Sequence, residues 1–114
     1  MSAFADVLSG LIRQRGVTGS LIVSEADGII VDSTLQVGVR GNVVAALAAS
    51  LYRKARLSSH AAGLGDASFL QLEAKQGRIC AAGRGDLVLV TVAESRANVG
   101  LIRVEMLKAL EALQ

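Results

Sequence analysis

The chain has 114 residues, of which 52% are hydrophobic and only 19% charged, with twelve basic against ten acidic side chains and a net charge of +2. This length suits one domain with a proper core (residues 1–114) and is too short for a multidomain enzyme, while the interspersed acids and bases exclude the electrostatic footprint of a nucleic-acid binder. A single cysteine, Cys80, excludes an internal disulfide or a cysteine metal cluster and agrees with a reducing compartment, and so little charged surface favours self-association.

In chain order, Phe4, Val7, Leu8, Leu11 and Ile12 recur at helical spacing, and Gly16 is placed to end that first helix. The opening MSAFADVLSG lacks the basic and long apolar regions of a signal peptide, and no apolar run approaches a membrane span. A cytoplasmic protein without membrane insertion is expected. From Thr18 the pattern becomes TGSLIVSEADGIIVDST, two β-rich runs around Ala26-Asp27-Gly28, where Asp-Gly supplies the positive φ of a tight hairpin. QVGVRGN then leads into a second helix, from about Gly41 to His60, which stops near Gly63 and Gly65.

That second helix contains NVVAALAASLYRKA, with five alanines. Val43, Val44, Leu47 and Leu51 form one stripe of large side chains, the natural core face. Rotated away from it are Ala45, Ala46, Ala49 and Tyr52, a smooth and nearly uncharged flank expected to be a landing surface for another molecule. Helix propensity alone is the competing explanation of the alanines.

Three strands follow, ASFLQLEAK, GRICAAG and DLVLVTVAE, with turns at Gln76-Gly77 and Gly85-Asp86. The last is apolar on both faces and should lie centrally, covered on both sides. RANVGLIRVEMLKALEALQ closes the chain as a helix that turns Val99, Ile102, Met106, Leu110 and Leu113 to the sheet and Glu105 and Lys108 to solvent. The fold class is therefore α+β: a single-domain α-β-β-α-β-β-β-α three-layer sandwich, its five-stranded, mostly antiparallel sheet bearing helices on both faces.

Chemistry is hard to find in this sequence. His60 follows Ser58 and Ser59 at a helix end, but neighbours on one element rarely converge, and it reads as a surface histidine at a helix C-terminus rather than a catalytic base. Glu25, Asp27 and Asp32 bracket the hairpin without calcium-loop spacing; a solvated hairpin is the simpler reading, and no metal site is assigned. Gly63-Leu64-Gly65 and Gly83-Arg84-Gly85 do not continue into a phosphate-binding loop, and Arg84-Gly85-Asp86 reads as a hairpin turn. Cys80 is a small strand side chain. Arg53, Lys54, Arg56 and His60 make a local basic patch, complementing the helix dipole or docking an acidic or phosphate-bearing partner. No catalytic residue and no cofactor site are expected, and two Phe, one Tyr and no Trp leave few aromatics for stacking bases.

GSLIVSEADGIIVDS as the opening hairpin, NVVAALAASL, GLGDASFLQLEAKQG and ANVGLIRVEMLKAL, in this order and at this length, resemble the roadblock family of dynein light chains and its bacterial relatives of the MglB type, a roadblock/profilin-like fold. The likeness spans Val17 to Leu113. It implies a homodimer whose sheets join edge to edge through their third strands, with the second helices side by side. It implies further a non-enzymatic regulator that binds a Ras-like small GTPase on those paired helices; some bacterial members accelerate GTP hydrolysis. On this resemblance Ala45, Ala46, Ala49, Tyr52 and Arg53 would contact the GTPase.

Phe69, Leu70, Gln71, Leu72, Glu73 and Lys75 would form the dimer edge, with Leu70, Leu72 and Ala74 on one face and Phe69, Gln71, Glu73 and Lys75 on the other. Glu73 and Lys75 are placed to pair across it. No arginine among Arg40, Arg53, Arg56 and Arg84 matches a catalytic finger. The longer bacterial members carry a C-terminal extension, whereas this sequence stops at Gln114, so a tail-borne function is not expected. The alternative is a scaffold subunit of a larger complex with no effect on a GTPase.

Overall fold

A strand apolar on both faces needs a helical layer on each side, and that requirement organises the molecule. The computed structural model describes residues 3–113; Met1, Ser2 and Gln114, the extremes of the expected domain, lie outside the described residues. The elements follow the expected order: α1 (Ala3–Ile12), β1 (Val17–Ser24), β2 (Ile30–Leu35), α2 (Gly41–Ala61), β3 (Leu70–Ala74), β4 (Gly77–Arg84), β5 (Leu87–Ala93) and α3 (Val99–Glu111). The sheet runs β2-β1-β5-β4-β3, so β5 is central as its sequence demands, and every pairing is antiparallel.

Alternation along the strands divides the core in two. Ile22, Cys80, Ala82 and Leu89 meet Val7, Leu8 and Leu11 of α1 and Ile102, Met106 and Leu110 of α3. On the other face Leu21, Val23, Ala81, Val88 and Val90 lie under α2. Two buried hydroxyls are satisfied within this frame: Ser20 Oγ donates to the Leu8 carbonyl at 3.2 Å, and Thr91 Oγ1 to Met106 Sδ at 3.3 Å. Among the described residues, no helix is long and apolar enough to cross a membrane.

Local details depart from expectation at the ends of elements. Helix α1 stops at Ile12 rather than continuing to Gly16, which instead turns the chain into β1 at φ +86°, where an added Cβ would lie 2.9 Å from that of Ala97. Strand β3 is shorter than ASFLQLEAK: Phe69 precedes it and Lys75 belongs to the following turn. A bulge leaves Val31 unpaired between the Val23–Ile30 and Ile22–Asp32 matches, allowing both Ile30 and Leu35 to reach the α2 side. Leu113 lies just past α3 and is still buried.

The orientation of α2 is the main correction. Ala45, Ala49 and Tyr52 are 0%, 2% and 3% exposed, whereas Val43 and Leu47, the expected core stripe, are 59% and 41% exposed. Val44 and Leu51 are half-buried, and of the expected landing flank only Ala46 is exposed. The reason is steric. The sheet surface beneath α2 is built from Leu21, Val23, Val88 and Val90, and β-branched and leucine side chains on that floor leave room for methyl groups from the helix. Small residues let the helix descend onto the sheet. Tyr52 continues the buried stripe by lying across Gly83, where an added Cβ would come within 2.5 Å of its ring, and its hydroxyl donates to the Ala67 carbonyl at 2.9 Å.

Enlarging the helix side of this contact should be costly. Ala48→Leu is expected to destabilise the fold by about 1–3 kcal/mol through overpacking, read as a lower urea midpoint, whereas Val43→Ala should leave the midpoint nearly unchanged.

Candidate partner-binding surface

With its alanine stripe turned inward, α2 presents Asn42, Val43, Ala46, Leu47, Lys54 and Leu57 outward. Leu57 is 56% exposed, so three large apolar side chains punctuate this face, with Lys54 between Leu47 and Leu57. A helix face of that kind gains free energy by losing water. The hairpin between β1 and β2 leans against the same helix: an added Cβ at Gly28 would meet Ala46 Cα at 3.2 Å. That hairpin also exposes Ile29, which periodicity placed inside a strand.

The expected basic patch is largely engaged within the molecule. Arg53 Nη1 donates to the carbonyls of Glu25 and Ala26 at 3.0 and 3.2 Å. The Arg56 guanidinium holds both oxygens of the Glu25 carboxylate through Nε at 3.2 Å, with Nη2 at 2.5 Å from Oε1. Hydrogen bonding to Glu25, then its negative charge, raises the Arg56 pKa above the ordinary guanidinium value. Glu25 is thus no solvated hairpin acid, and both arginines fasten the hairpin to α2 beside a cavity that Ser24 and Asp86 also line. Asp27 has the expected turn role, its Oδ1 accepting from the Ile29 amide at 3.0 Å.

At the other end of α2, His60 Nε2 contacts Asp66 Oδ1, while Ser59 Oγ donates to the Gly65 carbonyl at 2.6 Å. These contacts, with the Tyr52 hydroxyl, hold the connection to β3 against the helix. Ser59 is directed to a backbone carbonyl, so the Ser–His neighbours form no nucleophile and base pair. Cys80 is buried mid-strand; desolvation raises its thiol pKa, partly opposed by a hydrogen bond with Thr91. Among the described residues, no group of three or more His, Cys, Asp and Glu is placed to hold a metal ion.

Strand β3 occupies one border of the sheet, paired on one side only. Leu70 packs toward the α2 side and Phe69 toward the α1–α3 side, the expected alternation. Arg103 stacks over the Phe69 ring at 5.4 Å from its centroid. Gln71, Glu73 and Lys75 are exposed and Leu72 half-buried, and within the chain Glu73 pairs with Arg78 of the adjacent strand at 3.3 Å.

Sequence reasoning therefore missed Val43, Leu47 and Leu57 as surface residues. Two signals could have revealed them. Ala45, Ala48, Ala49 and Tyr52 stand at i, i+3, i+4 and i+7, a complete core stripe once Ala48 is included. The Val43–Leu47 stripe, in turn, runs on to the charged Lys54, which marks the solvent side.

The family model described as the Roadblock/LC7 domain matches residues 3–93. An uncharacterised protein of Methanocaldococcus jannaschii is 31% identical over 108 residues, which is 95% of this chain and 91% of that protein. Among solved structures, a Roadblock/LC7 domain from Streptomyces avermitilis superposes with a TM-score of 0.84 at 21% identity, covering 94% of this chain and 91% of that one. MglB of Myxococcus xanthus gives a TM-score of 0.84 at 19% identity, covering 97% and 84%. At those identities the structures share the fold, and the likeness extends to an archaeal protein as well as bacterial ones.

The arginine clamp makes a specific expectation. Arg53→Ala should accelerate amide hydrogen exchange at Ser24 and Gly28, which close the hairpin, by about fivefold while exchange in β5 is unchanged.

Proposed function

Because the chain belongs to the Roadblock/LC7 domain family, we propose that it is a non-enzymatic homodimeric regulator that binds a Ras-like small GTPase on paired α2 helices. The observation that carries this reading is the outward apolar face of α2, Val43, Leu47 and Leu57, on a helix whose other face is already occupied by its own sheet. A surface that apolar on a small domain is best satisfied by a protein partner. The unpaired border of β3 supports the dimeric part. Its Leu70 and Leu72, flanked by Phe69 and by the exposed Gln71, Glu73 and Lys75, supply backbone groups for an edge-to-edge contact in which each copy offers the same strand.

The roles of individual α2 residues shift with the orientation of the helix. Ala45, Ala49 and Tyr52 are internal packing residues and are no longer assigned to the partner. Ala46 stays on the docking face, now joined by Val43, Leu47 and Leu57, with Lys54 the charge within it. Arg53 acts on this surface indirectly, by fixing the hairpin beside it. Any stimulation of GTP hydrolysis would proceed by repositioning the partner's own switch residues. Such a regulator works in the cytoplasm, where its GTPase partner resides.

The test is Leu47→Asp, which changes an exposed side chain and should leave the thermal midpoint close to that of the parent. Light scattering of the purified protein mixed with GTPases from the same genome, loaded with GDP or a GTP analogue, should show complex formation that the variant loses by about tenfold or more in affinity. Unchanged binding by the variant would refute the docking face. A stable dimer that engages none of those GTPases would favour the scaffold reading instead.

A further inference from the structure

Nine arginines are present, and the structure uses most of them internally. Arg13 bonds the Ser9 carbonyl, Arg53 and Arg56 clamp the first hairpin, Arg78 pairs with Glu73, and Arg103 lies over Phe69. Among the described residues, the side chains of Arg15, Arg40, Arg84 and Arg96 make no hydrogen bond or ion pair. Two of these four, Arg15 and Arg96, open onto one cavity of about 530 Å³. It lies where the α1–β1 turn meets the β5–α3 connection, away from the β1–β2 hairpin and α2.

The remaining walls have a consistent chemistry. Gln14 and Asn98 bring carboxamides; the Asn98 oxygen is occupied by the Leu101 amide at 3.1 Å, which leaves its NH2 group to donate. Glu94 is the one acid in the lining, so the two guanidinium groups outweigh it by one charge. Leu101, 47% exposed, is an apolar part of the same lining. Guanidinium forks match the oxygens of phosphate and carboxylate alike. A phosphate fits better here, since its three terminal oxygens can accept from both forks and from the carboxamides together, whereas a carboxylate has only two.

We propose that this cavity is a binding site for a small phosphate-bearing molecule, with Arg15 and Arg96 holding the phosphate and Leu101 contacting an apolar or planar body attached to it. The same phosphate chemistry is available from a free metabolite or from a lipid headgroup. The site is separate from the α2 docking face and does not depend on it.

The full chain, isotopically labelled, can be titrated with inorganic phosphate and with phenyl phosphate while backbone amide shifts are recorded. Saturable shifts are expected at Arg15, Gly16, Arg96, Ala97 and Leu101, with phenyl phosphate binding several-fold more tightly and Leu101→Ala removing that advantage. Arg15→Gln with Arg96→Gln should weaken phenyl phosphate by about tenfold or more with the spectrum otherwise intact. Arg84→Gln, altering an unpaired arginine elsewhere, should not.

Cosedimentation with phosphatidylglycerol vesicles that the double variant loses would assign the phosphate to a headgroup. Saturable phenyl phosphate binding without cosedimentation would assign it to a free molecule. Shifts spread over all exposed arginines, an absence of saturation, or equal binding by the double variant would overturn the proposal.

Discussion

The close seating of α2 on its own sheet is the contact on which the rest of the molecule depends. Ala45, Ala48 and Ala49 place methyl groups over Leu21, Val23, Val88 and Val90, and Tyr52 crosses the strand at Gly83, where the missing side chain leaves room for its ring. Bulk on the sheet is matched by smallness on the helix. Because the inward face carries small residues apart from Tyr52, the aliphatic side chains of α2 fall elsewhere on its circumference, Val44 and Leu51 at its margins and Val43, Leu47 and Leu57 outside. One packing choice therefore yields both a tight core and an apolar exterior.

Electrostatics then fixes the borders of that exterior. Arg53 and Arg56 spend their donors on the backbone and carboxylate of the first hairpin, so the loop beside α2 is held by charge-assisted bonds as well as by the Gly28–Ala46 approach. At the opposite end, Tyr52, Ser59 and His60 each tie the connection that leads to β3. The outer face of α2 and the free border of β3 are consequently parts of one braced unit. Surfaces that are rigid before contact lose less entropy on association, which suits the partner-binding role proposed for this domain.

The groups that first suggest chemistry are instead occupied structurally. Ser59 serves a carbonyl, Glu25 is held by an arginine, Asp27 closes a turn, and Cys80 sits in the core with its thiol pKa raised by burial. Each has a partner that explains it. The arginines around the α1–β1 and β5–α3 junctions are the contrast, since their charge is directed at an open cavity rather than at the protein itself.

By itself the sequence determined the order of elements, the antiparallel hairpins and the central place of the last strand. These are local or periodic properties: Asp27-Gly28 can only turn, and LVLVTV can only be buried on both sides. It also determined the two-sided alternation at Phe69 and Leu70, because strand periodicity does not depend on what lies opposite. Tertiary structure alone decided which face of α2 is inside. Both of its stripes are apolar and helical in spacing, and hydrophobicity favours the larger one, yet space above the sheet is set by Leu21, Val23, Val88 and Val90 from distant parts of the chain. Likewise, the engagement of Arg53 and Arg56 with Glu25 joins positions far apart in sequence, and the shared cavity of Arg15 and Arg96 exists only because two chain ends of the sheet meet. Volume and charge pairing are properties of neighbours in space, which periodicity along one segment does not encode.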